Sequence, residues 1–127
     1  MKDIIFEDFQ DAVNDSLLRH KSILDMLTKY QESNARVNRA IAKTVTSCGC
    51  LQVNAKKQPL TEETIADCLD THIKGKLCDN CREVIEAEVG NNLFYLASLC
   101  NALDINLYDI IIKEEDKMNT LGKFTFR

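Results

Sequence analysis

Two tight cysteine pairs carry the plainest chemistry in this chain: Cys48-x-Cys50 and Cys78-x-x-Cys81. Four thiolates brought together from two close pairs form a tetrahedral set with little backbone distortion, the donor set that suits a structural zinc ion. His72 lies near the second pair and is an alternative ligand. A second reading is redox: a CxxC dithiol exchanging with a partner needs an activated thiolate, and Cys81 near a helix start would qualify. A third is that the thiols stay reduced and unused. Cys68 and Cys100, the other two of six cysteines, fall on apolar faces and read as core residues.

A different chemistry is written further along. Glu88, Gly90, Asn91, Asn92 and Tyr95 form a polar patch in a stretch that is otherwise core-forming. Glu88 stands three residues from Asn91, four from Asn92 and seven from Tyr95, so a helix puts the four side chains on one face. Such a patch is a polar site inside a bundle, a hydrogen-bonded pair between helices, or a solvated stripe.

The elements that position these residues read as helices. One proline, four glycines and little alternation favour an all-α chain. Residues 3–14 form a short amphipathic helix with Ile5, Phe9, Ala12 and Val13 on one side and Asp3, Glu7 and Asp8 near its start. A long helix follows, starting near Asp15 or at a Ser22-x-x-Asp25 cap and running to about Ser47, with Leu24, Leu27, Val37, Ile41 and Val45 inward. It stops at Cys48-Gly49-Cys50, before the loop LQVNAKKQP. Thr61, with Glu62 and Glu63 in the first turn, begins a third helix that ends near His72, with Gly75 as terminator.

The longest pattern runs from Asn80 to Leu103, with Ile85, Val89, Leu93, Leu96, Cys100 and Leu103 on one face and an Asn80-x-x-Glu83 cap. Asp104-Ile105-Asn106 makes a corner. Asn106-x-x-Asp109 caps a last helix carrying Leu107, Ile110, Ile111 and Met118 inward, and Gly122 ends it. Phe124 and Phe126 alternate in an extended tail. If the second helix and the longest one run antiparallel, the two cysteine pairs meet, and a metal ion there staples the insert from Leu51 to Leu77 to the bundle.

At 127 residues the chain is expected to be one domain spanning residues 1–127. No stretch approaches the roughly 18 apolar residues of a spanning helix. The N-terminus carries acids through its apolar part, unlike a signal peptide. A cytoplasmic protein with no membrane partner is expected. The net charge of −4 argues against a nucleic-acid surface.

The segment from Glu86 through Glu88-Val89-Gly90-Asn91-Asn92 to Leu96, continuing into Leu103-Asp104-Ile105-Asn106-Leu107, resembles the MazG-like all-α nucleoside triphosphate pyrophosphohydrolases. In that family one helix bears Glu-Glu-x-x-Glu and a later one bears Glu-x-x-Asp within Glu-Leu-Gly-Asp. These acids hold magnesium ions that bind the substrate's phosphates and activate water. Such oxygen ligands suit a hard cation. Glu88-Val89-Gly90-Asn91 stands where Glu-Leu-Gly-Asp belongs. Glu32-Ser33-Asn34-Ala35-Arg36 is the best counterpart of the first motif. Glu32 and Glu88 are kept, while Ser33, Arg36 and Asn91 replace acids.

The resemblance implies a MazG-like antiparallel helical bundle, and dimers or tetramers of it. Glu32, Glu88 and Asn91 are then remnant magnesium positions. Arg36, Asn92 and Lys117 become candidates for holding a nucleotide, and Arg36 can also neutralise Glu88 or Glu32 by pairing. The function expected is a non-catalytic nucleotide-binding or regulatory module with a structural zinc. The alternatives are a weak or altered pyrophosphohydrolase that keeps a magnesium site, and a thiol or zinc sensor.

Overall fold

The computed structural model describes residues 4–58 and 69–122. The expected helix start at Thr61, the Cys68 thiol and the Phe124–Phe126 tail lie outside the described residues. The described chain is mostly helical. It contains α1 (Ile5–Ser16), α2 (Ile23–Lys43), a π-helical turn (Thr44–Cys48), strands β1 (Leu51–Val53) and β2 (Ile73–Gly75), α3 (Asp79–Ala102) and α4 (Leu107–Leu121). Among the described residues no single helix is long and apolar enough to cross a membrane. The chain divides into two compact units, Met1–Ser33 with Asn91–Arg127, and Asn34–Gly90.

The first unit packs α1 against α4. Its apolar centre is made of Val13, Met26, Ala97, Cys100 and Leu107, all less than a tenth exposed. The buried Gln10 ties α1 to the corner between α3 and α4. Its amide nitrogen donates to Asn101 Oδ1 and to the Ile105 carbonyl, each at 3.0 Å, and its oxygen accepts from the Leu107 N–H at 2.6 Å. Asn101 Nδ2 in turn donates to the Gln10 carbonyl at 2.9 Å. A buried amide is tolerated because every hydrogen-bonding group it brings finds a partner. The corner itself turns on Asp104, whose φ is +55°. Asn106 caps α4 as expected, its side chain accepting from the Asp109 N–H at 3.2 Å, and Gly122 ends that helix at φ +56°.

Several expected inward positions point to solvent instead. On α1, Ile5 is exposed and Gln10 is buried in its stead. On α2, Leu24 is 72% exposed and Leu27 50%, while Met26 and Ser33 are buried. On α3 the buried face is Ala97, Ser98 and Cys100; Val89 and Leu93 are exposed, as is Leu103 just past the helix end. On α4, Ile110 and Met118 are exposed as well. The helical periodicity is present, yet neighbouring elements cover a narrower strip of each helix than the apolar residues occupy.

The second unit departs further from expectation. Ile41, expected inward on its part of α2, is also exposed. Residues 69–72 are not helical, and β2 begins at Ile73. It pairs antiparallel with β1 in the register Leu51↔Gly75, Gln52↔Lys74 and Val53↔Ile73, and the Asn54 N–H continues the ladder to the His72 carbonyl at 2.8 Å. Gly75 therefore sits in a strand, at φ +89°, and ends no helix. The α2 end also differs: the helix widens at Thr44 into a π turn closed by the Gly49 N–H on the Thr44 carbonyl at 2.8 Å. Thr44 is wholly buried there and donates to the Ile41 carbonyl.

Candidate functional site

The cysteine site is built by three local devices of the second unit. The π turn carries Cys48 at its last position. Gly49, at φ +84°, reverses the chain in the left-handed region that glycine adopts without strain, so Cys50 follows at once and leads into β1. The hairpin then returns the chain: β2 ends at Gly75, opposite Leu51, and Cys78 and Cys81 follow within six residues. Gly75 is required for that approach. A Cβ there would overlap the carbonyl oxygen of Cys50, so any larger residue would push the two cysteine segments apart.

The four sulfurs lie within 4.8 Å of one another. Cys48 Sγ and Cys78 Sγ are 3.8 Å apart, far beyond the roughly 2.05 Å of a disulfide, so these are free thiols. Cys48 is exposed and the other three are half-buried. Four thiols this close can hold a metal ion such as zinc. Among the described residues this is the one such convergence of metal-ligating side chains, and His72 is outside it.

Cys78 has a second role. α3 begins at Asp79, so Cys78 occupies the N-cap position expected for Asn80, and its sulfur accepts the Cys81 backbone N–H at 3.4 Å. That hydrogen bond, with help from the Cys81 thiol, pulls Cys78 down to about 7 from the ordinary thiol value. Cys81 is pushed up to about 12, chiefly because its thiol is hydrogen-bonded to the Cys78 sulfur and so holds its proton, with desolvation adding to the effect. The arrangement ionises Cys78 first, which is the state a metal ion needs in its first ligand. Cys100 is a buried core thiol of the other unit, raised by burial.

A few turns along the same helices, the second unit holds a groove of about 330 Å³ lined by Arg36, Arg39, Ala40 and Lys43 of α2 and by Val84 and Glu88 of α3. Arg36 grips Glu88 with both arms of its guanidinium, Nε to Oε2 at 2.8 Å and Nη2 to Oε1 at 3.2 Å. The Glu88 side chain is only 18% exposed, against 58% for Arg36. The Arg39 and Lys43 side chains make no hydrogen bond or ion pair with another described residue.

The other sequence candidates have ordinary partners. Glu32 is exposed and pairs with Lys29 at 3.2 Å. In the first unit, Asn92 Nδ2 donates to the buried Ser33 hydroxyl at 3.0 Å, and Asn91 is exposed. Lys117 pairs with Glu114 at 3.2 Å on α4. Sequence reasoning missed Arg39 and Lys43, although their spacing of three and seven residues from Arg36 was the available signal. In the first unit, His20 Nδ1 lies 2.5 Å from Asp25 Oδ2. Comparison with protein-family models, with curated proteins and with solved structures finds no match for this chain.

Proposed function

We propose that this chain is a divergent MazG-like helical module, stapled by a structural zinc ion, that binds the phosphates of a nucleotide without hydrolysing it. The observation that carries the reading is the two-armed Arg36–Glu88 pair. A magnesium ion wants several oxygen ligands with negative charge in excess. At Glu88 the carboxylate is already neutralised by a guanidinium, and Arg39 and Lys43 line the same groove. An ion arriving there would have to displace Arg36 and then sit among three cations. Both effects oppose metal binding, and without the metal the family's hydrolytic chemistry has no activated water.

For the cysteine site the metal is zinc. Zinc–thiolate bonds of about 2.3 Å in a tetrahedron set neighbouring sulfurs roughly 3.8 Å apart. Cys48 and Cys78 already stand at that spacing, and the remaining sulfurs need to close by less than about 1 Å. Zinc then fixes the end of α2 and the start of α3 to the hairpin and contributes directly to the stability of that unit.

A panel of nucleoside triphosphates with magnesium or manganese tests the first half. No pyrophosphate release above buffer is expected, whereas turnover abolished by Glu88→Ala would sink the non-catalytic reading. Elemental analysis of freshly purified protein tests the second half. About one zinc per chain is expected, and less than about half, with all four thiols open to titration, would overturn it.

A further inference from the structure

We infer that the groove between Arg36–Lys43 of α2 and Val84–Glu88 of α3 takes a di- or triphosphate chain directly, without a divalent cation, and that Glu88 acts as a competitor for it. This deepens the phosphate-binding reading above and rests on it. Arg36, Arg39 and Lys43 rise along α2 at spacings of three and four residues, so they form one cationic ladder. At 1.5 Å per residue the ladder is about 10 Å long. A single phosphate touches one rung, while a chain of two or three phosphates bridges two or all of them.

The charges in the groove are arranged for an anion. Three cations face one carboxylate. The Arg36 fork is held by Glu88 in the same two-armed geometry with which arginine grips phosphate oxygens, so an incoming phosphate replaces Glu88 like for like. Arg39 and Lys43 have no carboxylate to give up. Ala40 and Val84 supply an apolar floor and wall that do not compete for the ligand's oxygens.

Two signs follow that are the reverse of metal-dependent phosphate binding. Magnesium, by neutralising the phosphate chain, weakens its attraction to the ladder. Removing the Glu88 charge frees Arg36 and takes away a repelling group, so Glu88→Gln strengthens binding.

The test is calorimetric titration of the full chain, zinc-loaded, in buffer free of added divalent ions, with zinc content measured again afterwards. Inorganic triphosphate is expected to bind about tenfold or more tightly than orthophosphate. Excess magnesium weakens it, and Glu88→Gln tightens it by about threefold or more. The double variant Arg39→Ala with Lys43→Ala loses about tenfold or more, with zinc content and melting temperature unchanged. ATP in parallel identifies the source: tighter binding than triphosphate points to a nucleotide, equal binding to free polyphosphate, and either keeps the site.

Absence of triphosphate binding by protein that retains zinc and hydrolyses no nucleotide overturns this inference while leaving the non-catalytic reading in place. Binding that needs magnesium and is lost in Glu88→Gln overturns it too, as does binding the double variant leaves untouched. Nucleotide turnover would instead remove the reading on which it rests.

Discussion

Cys78 shows how one side chain can serve both a helix and a thiol cluster able to hold a metal ion. Cysteine is not among the preferred N-cap residues, which is why the cap is expected two residues later, at Asn80. Its sulfur nonetheless takes the Cys81 N–H and, held there, ionises more easily than a free thiol. The sign of the resulting pH effect is fixed. A depressed thiol adds stability to the metal-free fold above the ordinary thiol value of 9.0, and that contribution is lost as pH falls through about 7. Cys81, raised to about 12, favours the fold below 9.0 and loses its effect only as pH rises toward 12, so it does not offset Cys78 near neutrality. In the metal-free protein Cys78 is therefore expected to be alkylated before Cys81, with a rate midpoint near pH 7. Peptide mapping by mass spectrometry reads this directly. Equal labelling of Cys78 and Cys81, with midpoints near 9, would count against the cap geometry.

At the scale of elements, the hairpin is what brings two distant cysteine pairs into one cluster, and Gly75 is its tightest point. Gly75→Ala puts a Cβ against the Cys50 carbonyl and forces a non-glycine residue to φ +89°. The backbone conformation alone costs roughly 1–3 kcal/mol, and the steric overlap adds to it. A lowered melting temperature with loss of bound zinc is expected. Gly90→Ala is the contrasting control: it lies inside α3 with open space where its Cβ would go, so a gain of about 0.5–1 kcal/mol is expected. If the two variants melt alike, the packing of β2 on Cys50 is not what holds the site. α3 and α4 were legible in the sequence because three-and-four periodicity runs through them, and the Asn106 and Gly122 signals fix α4's ends. The β1–β2 pair was not, since three residues are too few to display alternation and a glycine before a cysteine pair reads equally as a helix stop. The cysteine constellation was readable from spacing alone. The groove was half readable: Arg36 and Glu88 stood out against the motif of the family the chain resembles, while Arg39 and Lys43 went unmarked, because their place in the groove depends on α3 lying beside them.

Among the described residues many large apolar side chains stand in water, and this bears on what the chain does in solution. Among the described residues, large side chains such as Leu24, Leu27, Ile110 and Met118 are between 38% and 72% exposed, while the buried apolar set is Val13, Met26, Ala97, Cys100 and Leu107. A chain of this size draws its marginal stability from burial, and covering one leucine contributes about 1.5–3 kcal/mol. No buried side-chain nitrogen or oxygen among the described residues lacks a partner. What remains to be covered is apolar, and a second copy of the chain presents the same apolar helices. We therefore propose a homodimer or tetramer as the working form. Light scattering after gel filtration should give a multiple of the 14.4 kDa chain mass, and the melting temperature should rise with protein concentration, because association stabilises only the folded state. Leu24→Asp with Leu27→Asp removes two exposed apolar groups on one face of α2 and is expected to lower the mass toward one chain without loss of helical content. A monomer whose melting temperature does not change with concentration would defeat the proposal, since association contributes to stability only if it occurs at the concentrations where the protein folds.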